Sequence, residues 1–99
     1  MTTSVTEFML KLRKIEDAGL TTRDVLILWA CRSKAGMMGR EVQLMLAYPF
    51  RSMLQIRFRI LSEKGLLEDR RLPNRVRQRE PNRLYVTPAG EKFLDDLLA

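Results

Sequence analysis

The chain has 99 residues, of which 45% are hydrophobic and 30% charged, and its 18 Lys+Arg against 12 Asp+Glu give a net charge of +6. This is enough for one domain with a single modest core; the longest apolar run, residues 25–31, is far too short to cross a bilayer, no signal-peptide layout precedes it, and the lone Cys31 excludes an internal disulfide, so a cytoplasmic protein without membrane association is expected. With no histidine, one cysteine and a Gly36-Met37-Met38-Gly39 stretch that lacks the Lys and Ser/Thr of a phosphate loop, no catalytic residue, metal ligand or cofactor is expected.

In chain order, Ser4-Val5-Thr6-Glu7 reads as a capping box, and Val5, Phe8, Met9, Leu12 and Ile15 follow a helical period that Gly19 ends. Thr21-Thr22-Arg23-Asp24 starts a second helix, apolar nearly all round, which places Trp29 in the core as its largest filler. The two glycines at 36 and 39 break the pattern around a short extended piece, Met37-Met38, suited to be a third strand. A third helix over residues 40–46 offers Val42, Leu44, Met45 and Leu46 for burial. Residues 47–50 then turn the chain, with Pro49 suited to open the helix that follows.

That fourth helix, residues 51–64, buries Leu54, Phe58 and Leu61 at i, i+4 and i+7. Its other side carries Arg51, Ser52, Gln55, Ile56 and Arg59, and Arg51, Gln55 and Arg59 stack along one line because they are four apart. Arg57 flanks the apolar stripe, where its stem can lie along neighbouring side chains. Gly65 stops the helix. Two short strands follow, one ending near Leu72 and one spanning residues 83–86, joined by a loop that holds Arg75, Arg77 and Arg79; together residues 72–83 make a basic wing. Thr87-Pro88 starts a last helix whose apolar side is Phe93, Leu94, Leu97 and Leu98.

The charge is concentrated in the same region. Residues 51–83 hold ten basic and four acidic side chains, and nine of the ten are Arg, whose planar fork suits phosphate and guanine edges. Residues 84–99 hold one basic and three acidic groups. A helix with Arg and Gln on its open face, followed by a basic hairpin, is built to enter a groove of duplex DNA and to hold the phosphates beside it. Gln55 suits adenine, Arg51 and Arg59 suit guanine, Ile56 a thymine methyl, and Ser52 a phosphate or the helix start. Arg70, Arg71 and Arg83 on the strands suit phosphate. Tyr48 and Tyr85 fit either phosphate contacts or the rim of the core.

The residues Leu61-Ser62-Glu63-Lys64-Gly65-Leu66-Leu67 and Leu84-Tyr85-Val86-Thr87-Pro88-Ala89-Gly90, with Leu20-Thr21-Thr22-Arg23, resemble the winged helix-turn-helix of MarR-type transcriptional regulators, with PadR-type regulators a near second. The likeness covers about residues 20–98. It implies a mainly α fold with a small antiparallel β wing (α+β), about five helices and a two- to three-stranded sheet. Residues 1–99 would form one domain: an N-terminal helix (1–19), a core with the helix-turn-helix and wing (20–87) and a C-terminal helix (88–99). By position it puts Arg51, Ser52, Gln55, Ile56 and Arg59 at the major groove and Arg75, Arg77 and Arg79 at the wing tip. Pro73 and Asn74 stand where the family's wing carries an acidic residue, and the family's terminal helices, which build its dimer and effector pocket, are longer than those here. The implied partners are double-stranded DNA and a second copy of the chain; a small-molecule effector is left open. The rival reading is a winged-helix adaptor that binds protein through exposed Met or Leu. RNA ranks lower for want of an aromatic platform.

Overall fold

The computed structural model describes residues 4–70 and 83–99; Arg71, Arg75, Arg77 and Arg79 lie outside the described residues. The described chain runs α1 (Val5–Asp17), α2 (Thr22–Ser33), β1 (Met37–Met38), α3 (Gly39–Leu46), α4 (Arg51–Glu63), β2 (Leu67–Arg70), β3 (Arg83–Val86) and α5 (Pro88–Leu98). The five helices and three-stranded sheet match the expected mainly helical α+β architecture.

Local signals place the helix ends. The Ser4 hydroxyl accepts from Glu7 N at 3.1 Å, the Ser4 half of the expected capping box. At α2 the box is complete: Asp24 N donates to Thr21 Oγ1 at 3.2 Å and Thr21 N donates to Asp24 Oδ2 at 2.8 Å. Glu41 accepts from Met38 N at the start of α3, and Thr87 Oγ1 accepts from Gly90 N at the start of α5, where Pro88 takes the first position. Pro49 does not open α4; the helix begins at Arg51 after an extended Phe50, and Pro49 belongs to the turn. Gly65 ends α4 at φ 75°, and Leu66 N then donates back to the Leu61 carbonyl at 3.0 Å.

The sheet is antiparallel in the order β1-β3-β2, with Met37 opposite Leu84, Leu67 opposite Val86 and Arg70 opposite Arg83. One continuous core joins Ile27 and Leu28 of α2, Met37, Val42, Leu54 and Leu61, Leu67 and Leu84 of the sheet, and Leu94 of α5.

Two expectations about burial change, at Trp29 and on α3. Trp29 is not a core filler: it is 46% exposed, as Leu26 is at 43%. α2 packs against α3, β3 and α5, and its buried positions are Asp24, Val25, Ile27, Leu28, Ala30 and Cys31, which leaves Leu26 and Trp29 on the side turned to solvent. On α3 only Val42 is buried and Leu46 partly so, whereas Leu44 and Met45 face outward. On α1 the apolar stripe docks only at its C-terminal end, through Leu12 and Ile15; Val5, Phe8 and Met9 are exposed.

Cys31 is an interior residue. Burial pushes its thiol up to about 12, so at neutral pH it remains a protonated small hydrophobe in α2.

Candidate nucleic-acid interface

The helix-turn-helix is α3, a four-residue turn and α4. The turn is tight because Ala47 takes the left-handed conformation, φ 51°, which few non-glycine residues adopt, and its N–H returns to Gln43 O and Leu44 O. Gln43 also donates through Nε2 to the Tyr48 carbonyl at 3.1 Å, tying the turn to the helix before it. At the other end of α3, Gly39 approaches Phe58 so closely that a Cβ there would sit 3.1 Å from the ring. α4 is thus held against α3 along its length, and Leu54, Phe58 and Leu61 seat it in the core.

This seating leaves the expected row outside. Arg51, Ser52, Gln55, Ile56 and Arg59 are all exposed, and among the described residues Arg51, Gln55 and Arg59 make no hydrogen bond or ion pair. Two cations along one exposed line, with an amide between them, are free to meet an external anion or a base edge.

The strand arginines are differently placed. Arg70 is exposed but engaged: its Nε and Nη2 donate to the two carboxylate oxygens of Glu68 at 2.8 and 3.0 Å, and its guanidinium lies over the Tyr85 ring at 4.3 Å. The Arg70 hydrogen bonds hold the Glu68 carboxyl below the usual carboxylate range, so Glu68 keeps its charge at neutral pH. Arg83 is half-buried and donates to the Gly36 carbonyl at 3.0 Å, linking β3 to the turn before β1. Tyr48 and Tyr85 are half-buried rim aromatics, each with an arginine on its face. Arg23 lies 3.8 Å from the Tyr48 centroid, and Phe50 meets that ring edge-on at 6.0 Å.

A buried ion pair was also not legible in the sequence. Arg57 donates through Nε to Asp24 Oδ1 at 2.7 Å and through Nη2 to Asp24 Oδ2, joining α4 to the first turn of α2. Asp24 at the third position of a capped helix and Arg57 beside the apolar stripe were each visible, but 33 residues separate them and only packing brings them together.

Among the described residues no cluster of His, Cys, Asp and Glu is placed to hold a metal ion, and no helix is long and apolar enough to cross a membrane.

No protein-family model matches the chain, and no curated protein matches it by sequence. Solved structures do. A MarR structure matches with a TM-score of 0.74 at 24% identity, covering 88% of this chain and 61% of its own. The YusO protein of Bacillus subtilis matches at 0.78 and 17% identity, covering 94% and 63%. The PcaV transcriptional regulator of Streptomyces coelicolor, solved with its natural ligand, matches at 0.68 and 25% identity, covering 78% and 52%. The chain therefore has the MarR-type winged-helix fold, and it spans only 52–63% of the length of these three structures.

Proposed function

We propose that the chain is a DNA-binding transcriptional regulator and not an enzyme. The α4 row Arg51, Ser52, Gln55, Ile56 and Arg59 reads the major groove, and the wing of residues 72–83 holds the minor groove or the backbone. The observation that carries this reading is the exposed, unengaged Arg51–Gln55–Arg59 line on a helix that Leu54, Phe58 and Leu61 seat in the core. It stands beside the net charge of +6 in residues 51–83 and a fold shared with transcriptional regulators. Fluorescence anisotropy with a random duplex pool at low and physiological salt tests it, comparing wild type with Arg75→Ala/Arg77→Ala/Arg79→Ala. Tight binding with a log–log salt slope of roughly −0.9 per neutralised phosphate, weakened in the variant, is the expected result. No binding at low salt removes the reading.

Glu68 acts in this scheme as an internal competitor for Arg70. Glu68→Gln is expected to strengthen duplex binding and to steepen the salt slope by about 0.9, one extra phosphate contact. An unchanged slope means that Arg70 stays off the DNA.

The regulator works as a homodimer. The carrying observation is the α1 stripe, continuous from Leu12 and Ile15 in the core to exposed Val5, Phe8 and Met9. A 13-residue helix with half its apolar face in water gains from pairing with a second copy. A two-fold pair also suits half-sites about 34 Å apart. Phe8→Asp/Met9→Asp is expected to lower the sedimenting mass from dimer to monomer at tens of micromolar, and a wild type that sediments as a monomer there sinks the dimer.

The adaptor reading draws on one observation, the exposure of Leu44, Met45, Phe50 and Met53 around the α3–α4 corner. It predicts a protein partner whose capture is lost on Leu44→Ser/Met45→Ser and is indifferent to Arg51 and Arg59.

A further inference from the structure

Asp24 is the one charged side chain fully buried among the described residues, at 0% exposure. Its oxygens are all in use: Oδ2 accepts from Thr21 N at 2.8 Å and also from Arg57 Nη2, and Oδ1 accepts from Arg57 Nε at 2.7 Å. The Arg57 guanidinium is itself mostly covered, its side chain 24% exposed.

Stability alone is a poor reason for this arrangement. Taking a carboxylate and a guanidinium out of water costs about what their attraction returns, and apolar replacements of such pairs are often as stable or more so. An apolar contact, however, has no direction. The burial of Leu54, Phe58 and Leu61 holds α4 in the core but does not by itself prescribe an angle against rotation of α4 about its axis. A two-pronged fork locked to a capped helix end does not tolerate it, because both hydrogen bonds need their angles kept.

The placement of the fork matters for the exposed row. Arg57 is two residues from Gln55 and two from Arg59, so it lies roughly 160° around the helix from both, at 100° per residue. It grips α4 from behind the row. At a side-chain radius of about 5–6 Å, a 20° turn of the helix carries the Gln55 and Arg59 tips by roughly 2 Å, enough to break a paired contact with a base edge.

We propose that the Asp24–Arg57 ion pair is a positioning clamp that sets the rotation of α4 and thereby its sequence discrimination, without itself touching nucleic acid. The proposal rests on the DNA-reading function proposed above. Arg57 and Asp24 are positioning residues, and their removal costs the ratio between affinity for a selected duplex and affinity for a random one. Non-specific affinity and its salt slope, which the exposed cations set, stay as they were.

The test uses Asp24→Asn/Arg57→Met, which keeps an acceptor for Thr21 N and the arginine stem while removing both charges. Wild type and variant are compared for urea stability, for anisotropy on the best selected duplex and on a random duplex over a salt series, and for residual dipolar couplings of the α2 and α4 amides. The expected result is a folded variant of lower stability, because the buried Asn amide N–H is left without an acceptor, with altered couplings in α4 relative to α2 and a discrimination ratio lowered roughly 10-fold, the worth of about one paired base contact, at unchanged salt slope. Should the double variant not fold, Arg57→Lys keeps the charge, loses the fork and carries the same readouts. A folded variant that discriminates as wild type does, or whose α4 couplings are unchanged, overturns the clamp. If wild type itself shows no discrimination between duplexes, the DNA-reading function fails instead, and the couplings alone decide whether the pair fixes the helix.

Discussion

Arg51→Ala/Gln55→Ala/Arg59→Ala is expected to lower affinity for a selected duplex by about 100-fold or more, because each paired side chain-to-base contact contributes about 1–3 kcal/mol of discrimination. All three side chains are exposed and unengaged among the described residues, so the fold should be indifferent to their removal, within about 0.5 kcal/mol. The same variant should bind random duplex with a salt slope shallower by roughly two phosphates' worth at most, since only two positive charges are lost. That combination separates reading from simple charge. If the loss on the selected duplex is no larger than on the random one, α4 contributes only electrostatic attraction, and sequence preference, where present, comes from the wing. Ser52→Ala is the internal comparison, expected to weaken binding uniformly and slightly.

Gly90→Ala should damage the fold although alanine is the better helix former. A Cβ at Gly90 would lie 2.2 Å from the Leu66 carbonyl oxygen and 2.8 Å from Val86 Cγ1. The Leu66 carbonyl cannot yield, because it accepts from Thr87 N at 3.2 Å and the adjoining Gly65 carbonyl accepts from Thr87 Oγ1 at 2.6 Å. Helix propensity favours the substitution by about 1 kcal/mol, whereas overpacking costs typically about 1–3 kcal/mol and more where backbone is the obstacle. The clash wins. A fall in melting temperature of about 10–20 °C is expected, at roughly 4–8 °C per kcal/mol for a domain of this size. A melting temperature that rises would mean that α5 does not pack this closely on the β2–β3 hairpin.

These close approaches give physical content to the motifs that suggested the fold. Leu61 to Leu67 works as a helix exit because Gly65 takes φ 75° and lets the Leu66 N–H return to Leu61. Leu84 to Gly90 works as a wing exit because Thr87 caps α5 and Gly90 alone leaves room for the Leu66 carbonyl. The arginines at 71, 75, 77 and 79 lie outside the described residues, and their part in binding rests on charge and resemblance.

The sequence by itself determined the features governed by near neighbours: the caps of α1, α2 and α5, the glycine stop of α4, the three strands, and the α4 period that buries Leu54, Phe58 and Leu61 and leaves the Arg51–Gln55–Arg59 row outside. Each depends on residues within one or two helical turns, where spacing dictates which side chains share a face. Tertiary structure alone decided the rest. An all-apolar α2 does not announce which arc its neighbours will cover, so Trp29 was misplaced until α3, β3 and α5 were seen to claim the other side. A periodic α1 does not show how far its stripe docks. Arg70 and Arg83 read as free cations until Glu68 and the Gly36 carbonyl were found beside them. The Asp24–Arg57 pair, whose partners are remote in the chain, exists only because packing the core brings the start of α2 against the back of α4.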